Sequence, residues 1–161
     1  MERNRDQRCP VSLDQIKEWN YIEDAVFDEK LRLCVKAAIA GVENYINQVV
    51  WISDFAETFP GVPRVVPMPL GPIVSVAVTV DGQALSPELY VWDAYFLTID
   101  PSVQGESTTV TVRAGYDDPD EDIKSAVLLI ASELFRNPTD SVKQLPTTSK
   151  LLLDPHRKAN I

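Results

Sequence analysis

The stretch VTVRAGYDDPDEDIKSAV, residues 110–127, changes its period halfway along. Up to Arg113, within TTVTVR, apolar and polar residues alternate as they do in a strand with one covered face. From Ile123 the apolar positions fall at Ile123, Val127, Ile130 and Leu134, a helical stripe that Ala126, Leu129 and Ala131 widen. A helix is predicted over 119–136, stopped by Asn137-Pro138. Gly115 lets the chain turn out of the strand. A sheet that ends where a helix begins makes this an α+β chain.

Between the two patterns, DDPDED at 117–122 holds five carboxylates in six residues. A calcium loop of the EF-hand kind would use Asp118, Asp120 and Asp122 at positions 1, 3 and 5. Ile123 and Leu129 then stand where the turn glycine and the bidentate glutamate belong. A catalytic carboxylate pair needs a cleft that raises one pKa, whereas neighbours in a solvated loop stay ionised together. A helix start accounts for every position. Asp118 is read as the N-cap and Pro119 as the first helical residue, with Asp120, Glu121 and Asp122 facing the positive end of the dipole.

Residues 51–115 read as a β block. In IVSVAVTVDG, Val74, Val76, Val78 and Val80 alternate with Ser75, Ala77 and Thr79, and Asp81-Gly82 suits a type I′ hairpin. LYVW, YFLTI and TTVTVR are predicted to be further strands, with turns near Asp93-Ala94 and across DPSVQGES. Helices are predicted on either side. Ser12 and Gln15 form a capping box that opens a helix over 12–20, with Leu13, Ile16 and Trp19 on one face. A longer helix over 28–50 carries Leu31, Val35, Ala38, Val42, Tyr45, Ile46 and Val49. The expected fold is a helical bundle, two N-terminal helices plus a C-terminal one, with a central antiparallel β insertion. One domain is expected over 11–144, between a flexible arm at 1–10 and a C-terminal arm at 145–161.

The composition narrows the function. The 161 residues carry a net charge of −9 with 45% hydrophobic and 24% charged residues, which suits a folded chain and not a phosphate-neutralising groove. Cys9 and Cys34 make no disulfide framework, and a lone histidine, His156, with no C-x-x-C pair is a poor basis for a zinc site. His156 also has no evident nucleophile–acid pair to serve as a base. Cys34, between apolar helix residues, reads as core. Trp19, Trp51 and Trp92 lack the interleaved cations of a single-strand platform. MERNRDQRCP has no apolar stretch and does not read as a signal peptide, and Val65–Val80 is broken by prolines and too short to span a bilayer.

Taken in order, VSLDQIKEW, LRLCVKAAIAGVENYI, FPGVPRVVPMPLGPIVSVAVTVDG, VTVRAGYDDPDEDIKSAVLLIASELFRN and LPTTSKLLLDPHR cover 11–157. This series resembles the head–tail connector (adaptor) proteins of tailed bacteriophages, the HK97 gp6-like and phiE125 gp8-like family. His156 departs from it, standing where the family usually has an aromatic residue, and the acidic cap is longer than usual. The resemblance implies a structural virion protein that forms a ring beneath the portal, with the portal's twelvefold symmetry, and joins it to the next neck or tail-completion protein. DNA would pass through without sequence-specific binding. No reaction, cofactor, metal or membrane is implied. The acidic charge is then either a non-adhesive lumen or plain solubility.

Within that reading the C-terminal KLLLDPHRKANI is the candidate docking arm. Leu151, Leu152 and Leu153 cannot all face one core from a short turn, so at least one is expected to meet a partner, with His156, Arg157 and Lys158 beside it. The competing expectation is an end folded over its own domain. The small residues Ala37, Ala38, Ala40 and Gly41 are read either as a subunit contact or, preferably, as packing against Ile123, Val127 and Ile130. Two rival functions remain: a tail-completion or neck protein one ring further down, and a metal-dependent hydrolase using Asp117, Asp118, Asp120 and Asp122.

Overall fold

Gly115 holds φ at +120°, and a Cβ there would lie 2.6 Å from the Ile52 Cα. Only a glycine lets the chain leave the sheet so close to a second backbone. The computed structural model of the chain describes residues 1–6, 8–137 and 146–158. It divides into two compact units: Met1–Gln7 with Trp51–Tyr116, and Arg8–Val50 with Asp117–Ile161. The fold is α+β, as predicted.

The first unit is all β. Strands β1 (Glu2–Arg5), β2 (Ser53–Pro60), β4 (Ile73–Val80), β5 (Gln83–Ala84) and β8 (Ser107–Ala114) form an antiparallel sheet in the order β1-β2-β8-β4-β5. Strands β3 (Val65–Pro67), β6 (Tyr90–Trp92) and β7 (Phe96–Ile99) form a second, in the order β3-β7-β6. β8 alternates without a break and buries Thr108, Val110, Val112 and Ala114. Val110, Val112 and Ala114, with Val78, meet Val66, Leu97 and Ile99 of the smaller sheet in one apolar cluster. The predicted hairpin is present: Val80 faces Gln83 across Asp81 and Gly82, both at positive φ.

Two readings of this unit are corrected. Val74 does not share the face of Val76, Val78 and Val80, because a bulge between Ile73 and Ser75 shifts the register and leaves it exposed. Residues 2–5 are no loose arm but an edge strand paired with β2. Their charges hold them there. Arg3 lies 5.4 Å from the Phe55 ring centre and donates from Nε to the Ser53 hydroxyl at 3.0 Å, while Arg5 lies 5.2 Å from the Trp51 ring centre. Arg113 bridges Asp6 and Asp54.

The second unit is helical: α1 (Leu13–Asn20), α2 (Asp28–Ile46), α3 (Glu121–Arg136) and α4 (Thr147–Leu153). α1 opens with the predicted capping box, since Ser12 Oγ accepts from Gln15 N–H at 3.1 Å and Gln15 Oε1 from Ser12 N–H at 2.8 Å. Ser12→Ala is expected to cost about 1 kcal/mol in urea unfolding. Ile16 is buried, but Trp19 is 44% exposed, so the predicted face of α1 is only partly covered.

α2 buries Leu31, Val35, Ala38, Ile39, Val42 and Ile46 and packs on α3. It stops at Ile46 and not near 50, because Asn47 turns left-handed at φ 55° and its N–H reaches back to Glu43 C=O. Of the small patch, Ala38 is buried, Ala37 is exposed, and Ala40 and Gly41 lie between. α3 begins at Glu121 with Asp120 in the N-cap position, two residues later than read. Asp118 is drawn instead to Lys124 Nζ at 2.6 Å. Pro138 and most of the polar loop at 139–148 lie outside the described residues.

Candidate partner-binding site

Three consecutive leucines on a helix fan out by about 100° each. On α4 the fan has three fates: Leu153 is fully buried, Leu152 half-buried, and Leu151 69% exposed. The covered side is completed by Ser149 one turn before Leu153. Thr147, Thr148, Leu151, Asp154 and Pro155 are left outward as one ridge.

The residues after α4 are tied to their own unit by polar contacts. His156 Nε2 lies 2.9 Å from Asp122 Oδ2, and Nδ1 lies 3.8 Å from Asp120 Oδ2. Tyr45 donates to Asp154 at 2.6 Å, Gln48 donates to His156 C=O, and the Lys158 N–H caps Ile46 C=O at 2.9 Å. The Arg157 guanidinium sits 5.4 Å from the Tyr45 ring centre. The left-handed exit at Asn47 leaves the Ile46 carbonyl without a helical partner, and Lys158 supplies one. Of the six predicted contact residues, Leu151 and Arg157 are exposed, Leu152, His156 and Lys158 are partly covered, and Leu153 is core.

The hydrogen bond from His156 holds the Asp122 carboxyl below its ordinary range. A lowered folded pKa stabilises the fold above the unfolded value and loses that contribution as pH falls through the folded one. Acidification below the ordinary carboxylate range is therefore expected to lower stability. Asp93 and Asp100, lowered by hydrogen bonds from Tyr95 and Phe96 and from Ser102, add to the loss. Asp122→Asn should remove only its own part of the slope, as read by urea unfolding at stepped pH. Partial burial pushes the Cys34 thiol up against the opposing charge of Lys30; the residue is half-buried and not the core residue that its apolar neighbours in the sequence suggest.

The acidic run does not converge. Asp117 lies 3.8 Å from Arg8, Asp118 and Glu121 hold Lys124, and Asp120 and Asp122 face His156. The four carboxylates of the hydrolase reading therefore share no centre. Asp120, Asp122 and His156 do place one donor atom each within 4.8 Å of one another. They stand at the positive end of α3, where carboxylates serve the helix itself.

A groove on the same unit escaped the sequence reading. It has a volume of about 560 Å³ and is lined by Gln15, Glu18, Trp19, Tyr21 and Leu128. Tyr21 is 95% exposed, because it closes α1 in a left-handed conformation at φ 56° that turns the ring outward. The signal in the sequence was a tyrosine just past a helix end, which periodicity does not reveal.

No family model and no curated protein matches the chain. Solved structures do. It is similar to a chain in the neck of an empty gene transfer agent (GTA) particle computed with C6 symmetry, at TM-score 0.72 and 16% identity. It is similar to one in the neck of the native GTA particle computed with C12 symmetry, at 0.70 and 17%, and to one in the native GTA virion, at 0.72 and 17%. Each alignment covers 100% of this chain and 97% of the other. The whole chain thus shares its fold with components of these neck assemblies.

Proposed function

We propose that this chain is a structural, non-enzymatic head–tail connector of a phage-like particle, working as a ring, twelvefold in the virion, between portal and neck. One observation carries the reading. The likeness to neck chains spans both units from end to end, so it covers a whole subunit and not a common module. The order of sequence blocks listed above points the same way. In this reading no cofactor or metal is needed, and DNA passes an acidic body of net charge −9 without sequence-specific contact.

Leu151, Leu152, Leu153, His156, Arg157 and Lys158 are proposed as the partner-facing segment, with Leu151 as its apolar point. Because Leu153 is core, cutting the segment away would also damage the fold, and Leu151→Asp is the cleaner probe. Electron microscopy of the chain with its portal is expected to show a twelvefold ring seated on the portal. Capture by tail components with no capture by portal would move the chain to the next ring down. Heat on calorimetric titration with calcium, magnesium or manganese, coupled to substrate turnover, would overturn the structural reading altogether.

A further inference from the structure

We infer that the Trp19–Tyr21–Leu128 groove is the seat for a second copy of this chain, which inserts the Leu151 ridge of its α4. The inference rests on the ring reading and deepens it. Copies that join into a ring must meet through two different patches, one on each flank. The helical unit carries two that fit. The groove has a volume of about 560 Å³ and sets Trp19, Tyr21 and Leu128 beside the polar Gln15 and Glu18. The ridge is convex, with Leu151 at its crest and Thr148 and Pro155 beside it. An apolar helix face entering an apolar groove is a common mode of peptide recognition, and tryptophan and tyrosine are frequent anchors of such contacts.

Charge selects the copy as occupant. Chains of net charge −9 repel one another, so contacts are favoured where opposite charges meet. The groove side carries Glu18, which lines it, with Asp14 one turn before and Glu23 and Asp24 just after. The ridge side carries Arg157 and Lys158 against one exposed carboxylate, Asp154, which already accepts from the Tyr45 hydroxyl. The two patches also face apart. His156, in the turn after α4, is held at Asp122, six residues before Leu128 and about a third of a turn from it around α3. A contact joining different faces passes from one copy to the next and does not close as a dimer.

Oxidative trapping of the full chain tests this, in a background with Cys9→Ser and Cys34→Ser. With Tyr21→Cys and Leu151→Cys together, mild oxidation at high protein concentration is expected to give a covalent ladder of dimers, trimers and higher species. Either substitution alone should give dimers only. Adding Glu18→Lys should slow the ladder several-fold, and adding Lys158→Glu to that chain should restore it. A ladder no faster than that of an Ala84→Cys/Leu151→Cys control overturns the contact. Electron microscopy separates the two levels. A ring that fails to trap refutes this contact and leaves the connector reading standing, whereas trapped copies in open filaments keep the contact and refute the connector.

Discussion

Gly115→Val is expected to lower the stability of the β unit by about 4 kcal/mol, in the range where single substitutions are exceptional. Two costs add. A side chain at φ +120° is strained by about 1–3 kcal/mol. Its Cβ would also stand 2.6 Å from Ile52 Cα, 2.8 Å from Ile52 N and 3.0 Å from Trp51 C. These neighbours are backbone, and they cannot rotate aside as a side chain would. Trp51 is further fixed by its bridge to Tyr116 and by the bond from its ring N–H to Asp6 C=O at 3.0 Å. Gly82→Asn is the control. That glycine also has positive φ, but nothing lies within 4 Å, and asparagine accepts the left-handed region. Urea unfolding should shift strongly for the first variant and by a few tenths of a kcal/mol for the second.

Leu97→Ala should follow, at about 2–5 kcal/mol. Leu97 is fully buried on the central strand of the smaller sheet, in the cluster that also holds Val78, Val110 and Val112 of the larger one. The cost has two parts: the lost transfer of the leucine methyls, and the cavity left between sheets whose strands cannot collapse independently. Val74→Ala, on the exposed bulge, is expected to stay within about 0.5 kcal/mol. Equal losses at the two sites would mean that the bulge register is wrong. Midpoints of chemical denaturation at unchanged slope give the comparison directly.

The sequence announced what is periodic and concealed what is tertiary. The stripes of α2 and α3, the alternation of β8 and the Asp81-Gly82 turn are local patterns, and each was legible. β1 was not, because the charges of Glu2, Arg3 and Arg5 look like a solvated tail until Phe55, Trp51 and Ser53 are brought beside them. The end of α2 is hidden, because Val49 continues the apolar spacing past a left-handed Asn47. The position of Asp118 suits a cap in sequence, but Lys124 competes for it in space. At the candidate site, counting faces on a short helix is enough to show that at least one of three leucines stays uncovered, and it is Leu151. The pairing of His156 with Asp122, 34 residues away, carries no sequence signal at all.

Each unit is built from two separated lengths of chain, which pass from one unit to the other at 7/8, 50/51 and 116/117. During synthesis neither unit can finish before the other has begun. β1 leaves the ribosome first, yet the strand that joins both halves of its sheet, β8, emerges about a hundred residues later. α2 likewise waits for α3 until the whole β insertion has been made. Such long-range closure slows folding. It also means that a protease cutting once at any of these passages leaves two fragments that still share at least one folded unit.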